Sequence, residues 1–168
     1  MNVRWEGVSL CDPRCCSAIL CNYSRLKQQG LLHITSDLWC IMEEFDDVST
    51  KALTKYPLLM RITELKIDGV PNLQIQKILT DEFGTTHSLE YISSLWRKKI
   101  PNLIADLAQE NFLNWYFTFV VRGTYKRCTR CGKIKLAHSR YFSKNSTSKD
   151  GFYSICKDCR NQIQDKNA

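Results

Sequence analysis

Histidine is scarce in this 168-residue chain, and none of its three copies adjoins an aspartate. A hydrolytic centre that sets a histidine base beside a hard-metal ligand therefore has no evident seat, and no catalytic residue is expected. Long apolar runs are missing too. The stretch Phe117 to Val121, interrupted by Thr118, falls far short of the roughly 20 residues that a membrane-spanning helix needs. No secretory leader pattern opens the sequence and no internal repeat divides it, which argues against a disulfide-stapled secreted domain and against a solenoid. A reducing compartment, the cytoplasm, is the expected location.

Apolar residues and cysteine are well supplied. Hydrophobic residues make up 43% of the chain, enough for one ordinary core and a small satellite. Nine cysteines in a reducing setting pack as small hydrophobes or bind metal. The most informative are Cys128-x2-Cys131 and Cys156-x2-Cys159, the spacing of two halves of a tetrahedral zinc site. Gly132 gives the first pair the backbone freedom of a tight knuckle. The second pair runs into residues 160–164, free of Pro and Gly, a stretch suited to a short helix with thiolates near its positive end. Between the pairs, Asp150-Gly151 separates Tyr141-Phe142-Ser143-Lys144 and a polar stretch from Phe152-Tyr153-Ser154-Ile155, a hairpin signal. Knuckle, hairpin and short helix in that order predict a treble-clef module holding one zinc ion.

The stretch CTRCGKIKLAHSRYFSKNSTSKDGFYSICKDCR, Cys128 to Arg160, resembles the small cysteine modules found, often in phage and prophage proteins, next to HNH or endonuclease VII-type nuclease domains. The resemblance implies a zinc-bearing scaffold. A nuclease or a fragment of one is the alternative it raises, with His138 and Asn161 as candidates for a degenerate centre; a loop imidazole and a helix-surface amide are the plainer reading of those two.

Charge is placed unevenly. From Arg122 onward there are twelve Lys or Arg against three Asp or Glu, a formal +9, whereas the residues before it hold twelve against fourteen. Four thiolates with a divalent ion add about −2, so the C-terminal end remains cationic enough to attract a polyanion. Lys126, Arg127, Arg130, Lys133, Lys135 and Arg140 are the expected phosphate contacts.

The middle of the chain predicts three helices. Pro57 opens the first, with Leu58, Ile62 and Leu65 on one face, and Gly69-Val70-Pro71 ends it. Asn72 is placed to cap a second carrying Leu73, Ile75, Ile78, Leu79 and Phe83, which Gly84 stops. Ser88 caps a third with Ile92, Leu95 and Trp96 as its buried seam. That leaves Tyr91, Ser93, Ser94, Arg97, Lys98 and Lys99 among the outward residues, polar groups for base edges followed by cations for phosphates. Residues 62–100 resemble in a general way the helix-turn-helix of phage regulators, sigma-like factors and small terminase subunits, which implies DNA readout. A plain packing bundle is the competing reading. After Pro101, which starts or kinks it, an apolar-faced helix runs through Leu103, Ile104, Leu107 and the aromatic stretch Phe112 to Phe117 towards Arg122, as core or dimer face.

The N-terminal fifty residues read as a helix from Asp12-Pro13 to Gln29, stopped by Gly30, and a second opened by Ser36-Asp37 with an acidic end at Glu43, Glu44, Asp46 and Asp47. Cys11, Cys15, Cys16 and Cys21, with Cys40 or His33, fit no common zinc spacing and are expected to be buried thiols. The sequence thus predicts a mainly α chain with three parts: a helical region over 1–50, a helix-turn-helix with a long packing helix over 51–121, and a basic zinc module over 122–168. A non-enzymatic protein that binds double-stranded DNA is the function expected. A homodimer or a larger phage complex, and an adaptor using zinc for stability alone, stay open.

Overall fold

The computed structural model describes residues 7–32, 36–120 and 123–164, and its contacts separate two units, Met1–Glu110 and Asn111–Ala168. The first is helical. Asp12 accepts a hydrogen bond from the Arg14 amide at 2.8 Å and Pro13 takes the first helical position, so α1 spans Pro13–Cys21. It ends earlier than its sequence suggests. Asn22 turns its side-chain amide back onto the Ala18 carbonyl at 2.9 Å, competing with the backbone ladder, and α2 restarts at Tyr23–Leu32. Gly30 lies inside α2 and is buried against Leu38 and Trp39; it is a close-packing position and not the stop that the sequence predicts.

Ser36 caps α3, Asp37–Leu53, by accepting from the Trp39 amide. The acidic residues expected at its end are mid-helix instead. Lys27 of α2 bridges Glu43 and Asp46, and Asp46 also accepts from the Tyr23 hydroxyl. Two more helices follow, α4 at Pro57–Ile67 and α5 at Asn72–Phe83, the latter ended by Gly84 in the left-handed region with φ 68°. Asn72 does not cap α5 with its side chain; Pro71 occupies the cap position. Ser88 does cap α6, Leu89–Ser94, through the Tyr91 amide at 3.1 Å.

From there the helix does not stop at Pro101. A π-helical turn, Leu95–Lys99, joins α6 to α7, Ile100–Trp115. Proline has no N–H to donate and its ring crowds the carbonyl four residues back; the wider turn just before it accommodates both effects. Leu38, Met42, Phe45, Ile62, Ile75, Leu79, Ile92, Ile100 and Ile104 belong to one core that extends from Leu10 to Ala108. The divisions drawn from sequence at residues 50 and 121 do not coincide with the contact division, because α3 runs through residue 50 and this core draws on helices from both sides of it.

Past Ala108 the apolar residues leave that core. Phe112, Trp115, Tyr116, Phe119 and Val120 are exposed, with Phe112 stacked on Tyr116 at 5.9 Å, and a second π-helical turn, Tyr116–Val120, follows α7. The rest of the second unit is two hairpins and a helix. β1 (Tyr125–Arg127) pairs antiparallel with β2 (Ile134–Leu136), β3 (Phe142–Lys144) with β4 (Phe152–Cys156), and α8 covers Lys157–Gln164. The β3–β4 connection is a loop over 145–151. Asn145 accepts from the Thr147 amide and Ser148 from the Phe152 amide, and Gly151 closes the loop with φ 74°. No described helix is long and apolar enough to cross a membrane.

Candidate metal centre

The β1–β2 turn carries Cys128 and Cys131. Gly132, at φ 70°, donates its amide to the Cys128 carbonyl at 2.9 Å, and Cys128 donates to the Lys133 carbonyl at 2.9 Å, so the turn folds back tightly beneath both thiols. Cys156 ends β4 and Cys159 sits on the first turn of α8. Phe142 is fully buried and packs with Cys128, Cys156 and Cys159 as the centre of this unit's own core.

All four Sγ atoms lie within 4.8 Å of one another. Cys128 and Cys159 are 3.9 Å apart and Cys131 and Cys156 4.0 Å, far beyond a disulfide bond of about 2.05 Å. Metal–sulfur bonds of about 2.3 Å in a tetrahedron place sulfurs about 3.8 Å apart, so the donor set fits a single metal ion. Cys128, Cys156 and Cys159 are buried and Cys131 is exposed, which leaves the site open on one side. Among the described residues this is the one cluster of metal-ligating groups.

The electrostatics fit as well. Burial disfavours the Cys128 thiolate, yet the amides of Cys131, Cys156 and Arg130, joined by the Cys131 thiol, more than reverse this and bring it down to about 6. Cys159 goes the other way. Burial, then hydrogen bonds with the Cys156, Cys131 and Cys128 sulfurs, push it up to about 12. The backbone amides thus favour a thiolate at Cys128, while the Cys159 thiolate calls for a cation beside it.

The basic side chains expected to meet phosphate are mostly engaged within the unit. Lys126 pairs with Asp150 at 2.6 Å and donates to the Phe152 carbonyl, while Lys135 pairs with Asp158 at 2.6 Å. Arg130 reaches from the knuckle to the Cys159 carbonyl, and Arg127 donates to the Gly132 carbonyl. These contacts tie the knuckle to the second hairpin and to α8. Lys133 is exposed and Arg140 half-buried. No spacing in the sequence marks such cross-ties, so their structural role was missed there.

His138 is held by structure. Its Nδ1 accepts from the Arg140 amide at 3.2 Å and its ring meets the Phe117 edge at 5.1 Å. In the helical unit, Tyr91, Ser94, Arg97, Lys98 and Lys99 are exposed and Ser93 is half-buried, opposite the buried Ile92, Leu95 and Trp96. The N-terminal cysteines do not converge as ligands. Cys16 is buried and donates to the Leu10 carbonyl, Cys11 and Cys15 are half-buried, Cys21 and Cys40 are exposed, and His33 and Arg122 lie outside the described residues. The chain matches no family model, no curated protein and no solved structure.

Proposed function

We propose that this chain binds nucleic acid, double-stranded DNA foremost, through a helix-turn-helix in its helical unit and a treble-clef zinc module that lies against the phosphate backbone. The carrying observation is the coincidence of a complete four-sulfur cluster with the part of the chain that concentrates twelve Lys or Arg against three Asp or Glu. Zinc is the ion that suits four thiolates at these separations without redox chemistry. Its role is to hold the knuckle to α8, a task the engaged cations share, and the exposed Lys133, Lys144 and Lys149 meet the phosphates.

The helical part supports the same reading. The α5–α6 connection is short, contains a left-handed glycine, and precedes a helix whose outward residues are Tyr91, Ser94, Arg97, Lys98 and Lys99. Three consecutive cations are exposed together on the π-helical turn, a placement suited to neighbouring phosphates. Tyr91 and Ser94 precede them as groups for base edges.

Elemental analysis of the reduced protein is expected to give one zinc per chain. A labelled duplex is expected to bind with a log–log salt slope of about −3 or steeper, and supercoiled DNA with Mg2+ is expected to stay intact. Salt-independent association, or no association, overturns the nucleic-acid reading. Nicking lost in His138→Ala would replace it with a hydrolytic one.

A further inference from the structure

A second cationic feature lies in the helical unit, away from the cysteines. The break between α1 and α2 opens a pocket of about 270 Å³, walled by Cys21, Asn22, Ser24 and Arg25 on one side and by Lys66 and Ile67 of α4 on the other. The π-helical turn that carries Arg97 packs against both α1 and α4, and Arg97 itself stands outside the pocket's lining. Lys66 is half-buried, and its ammonium is held below the ordinary lysine range by burial and then by the Arg97 charge. Among the described residues no carboxylate pairs with Lys66, Arg97 or Arg25.

Two cations, Lys66 and Arg25, line this concave surface, and Lys66 is stripped of part of its water while the Arg97 charge opposes its own. An anion in the pocket relieves both. The lining groups suit a tetrahedral oxyanion: the Lys66 ammonium and the planar guanidinium of Arg25, which is anchored to the Asn22 side chain at 3.1 Å.

We propose that this pocket is a phosphate-binding site held by Lys66 and Arg25, with Arg97 on the adjoining π-helical turn adding positive charge from outside its lining. It deepens the nucleic-acid reading by specifying one backbone phosphate of the bound strand. Free phosphate shares the chemistry, so the experiment separates the two sources.

The full chain, Lys66→Gln and Arg25→Gln are compared by anisotropy with a labelled duplex across a salt series, and by thermal unfolding with inorganic phosphate. Arg25 is exposed, so that variant keeps the test alive if Lys66→Gln misfolds. Lys66→Gln is expected to weaken duplex binding about tenfold and to make the salt slope about one unit shallower, with a smaller loss for Arg25→Gln. If the wild type binds duplex and both variants match it in affinity and slope, the pocket proposal falls and the nucleic-acid reading stands. If the wild type ignores duplex but is stabilised by phosphate, and Lys66→Gln is not, the pocket stands as a free-phosphate site and the nucleic-acid reading falls. If neither ligand acts on the wild type, both fall.

Discussion

Tyr23 shows how a single side chain ties elements together. Its hydroxyl donates to Asp46 at 2.7 Å, and Asp46 is held in turn by Lys27, joining α2 to α3. Burial, then the bond to Asp46, push the phenol up to about 12 from an ordinary 10.0. Because the folded value is the higher, the stabilisation of the neutral phenol is complete below pH 10 and lost as pH rises through about 12. Absorbance titration of tyrosinate is expected to show one late-ionising group, absent in Tyr23→Phe. At this scale the distal cysteines were legible because ligand spacing is local, whereas Asp46 was read as part of a solvated helix end. Its partners come from a different helix, and helical periodicity carries no information about them.

At the scale of elements, capping chemistry served at three of four positions: Asp12, Ser36 and Ser88 each cap as their sequence predicts, and Asn72 does not, because Pro71 takes the cap position of α5. Glycine and proline misled where tertiary packing overrides local propensity. Pro101 sits within a continuous helix because a π-helical turn adapts to it, and Gly30 sits within α2 where Trp39 packs closely. A Cβ at residue 30 would meet the Trp39 Cα at 3.6 Å and the Leu38 Cγ at 3.8 Å, ordinary contact distances. The helical cost of glycine is therefore recoverable, and Gly30→Ala is expected to stabilise the helical unit by about 0.5–1 kcal/mol. Urea unfolding reads this as a raised midpoint at constant slope; a lowered midpoint would mean that the α2–α3 contact tolerates no added methyl.

Among the described residues of the whole molecule there are two cores without a shared residue, one from Leu10 to Ala108 and one around Phe142 and the cysteines. Cys128→Ser is expected to abolish metal binding and unfold the hairpins and α8 while the far-ultraviolet helical signal largely persists; loss of the whole signal would refute independent folding. The helical content and the small C-terminal hairpins were legible from pattern and turn signals. The placement of the cut at residues 110 and 111 was not, since a continuous helix passes through it and nothing in the local sequence marks where burial ends.

The last of the four sulfurs belongs to Cys159, on a helix that begins only at Lys157. During synthesis the ribosome completes every residue of the helical core before it delivers that final donor. A nascent chain arrested at residue 158 has three of the four thiols and no closed tetrahedron, so capture of an ion by all four waits on Cys159, and a nonsense codon between Cys131 and Cys159 leaves the knuckle without its clasp.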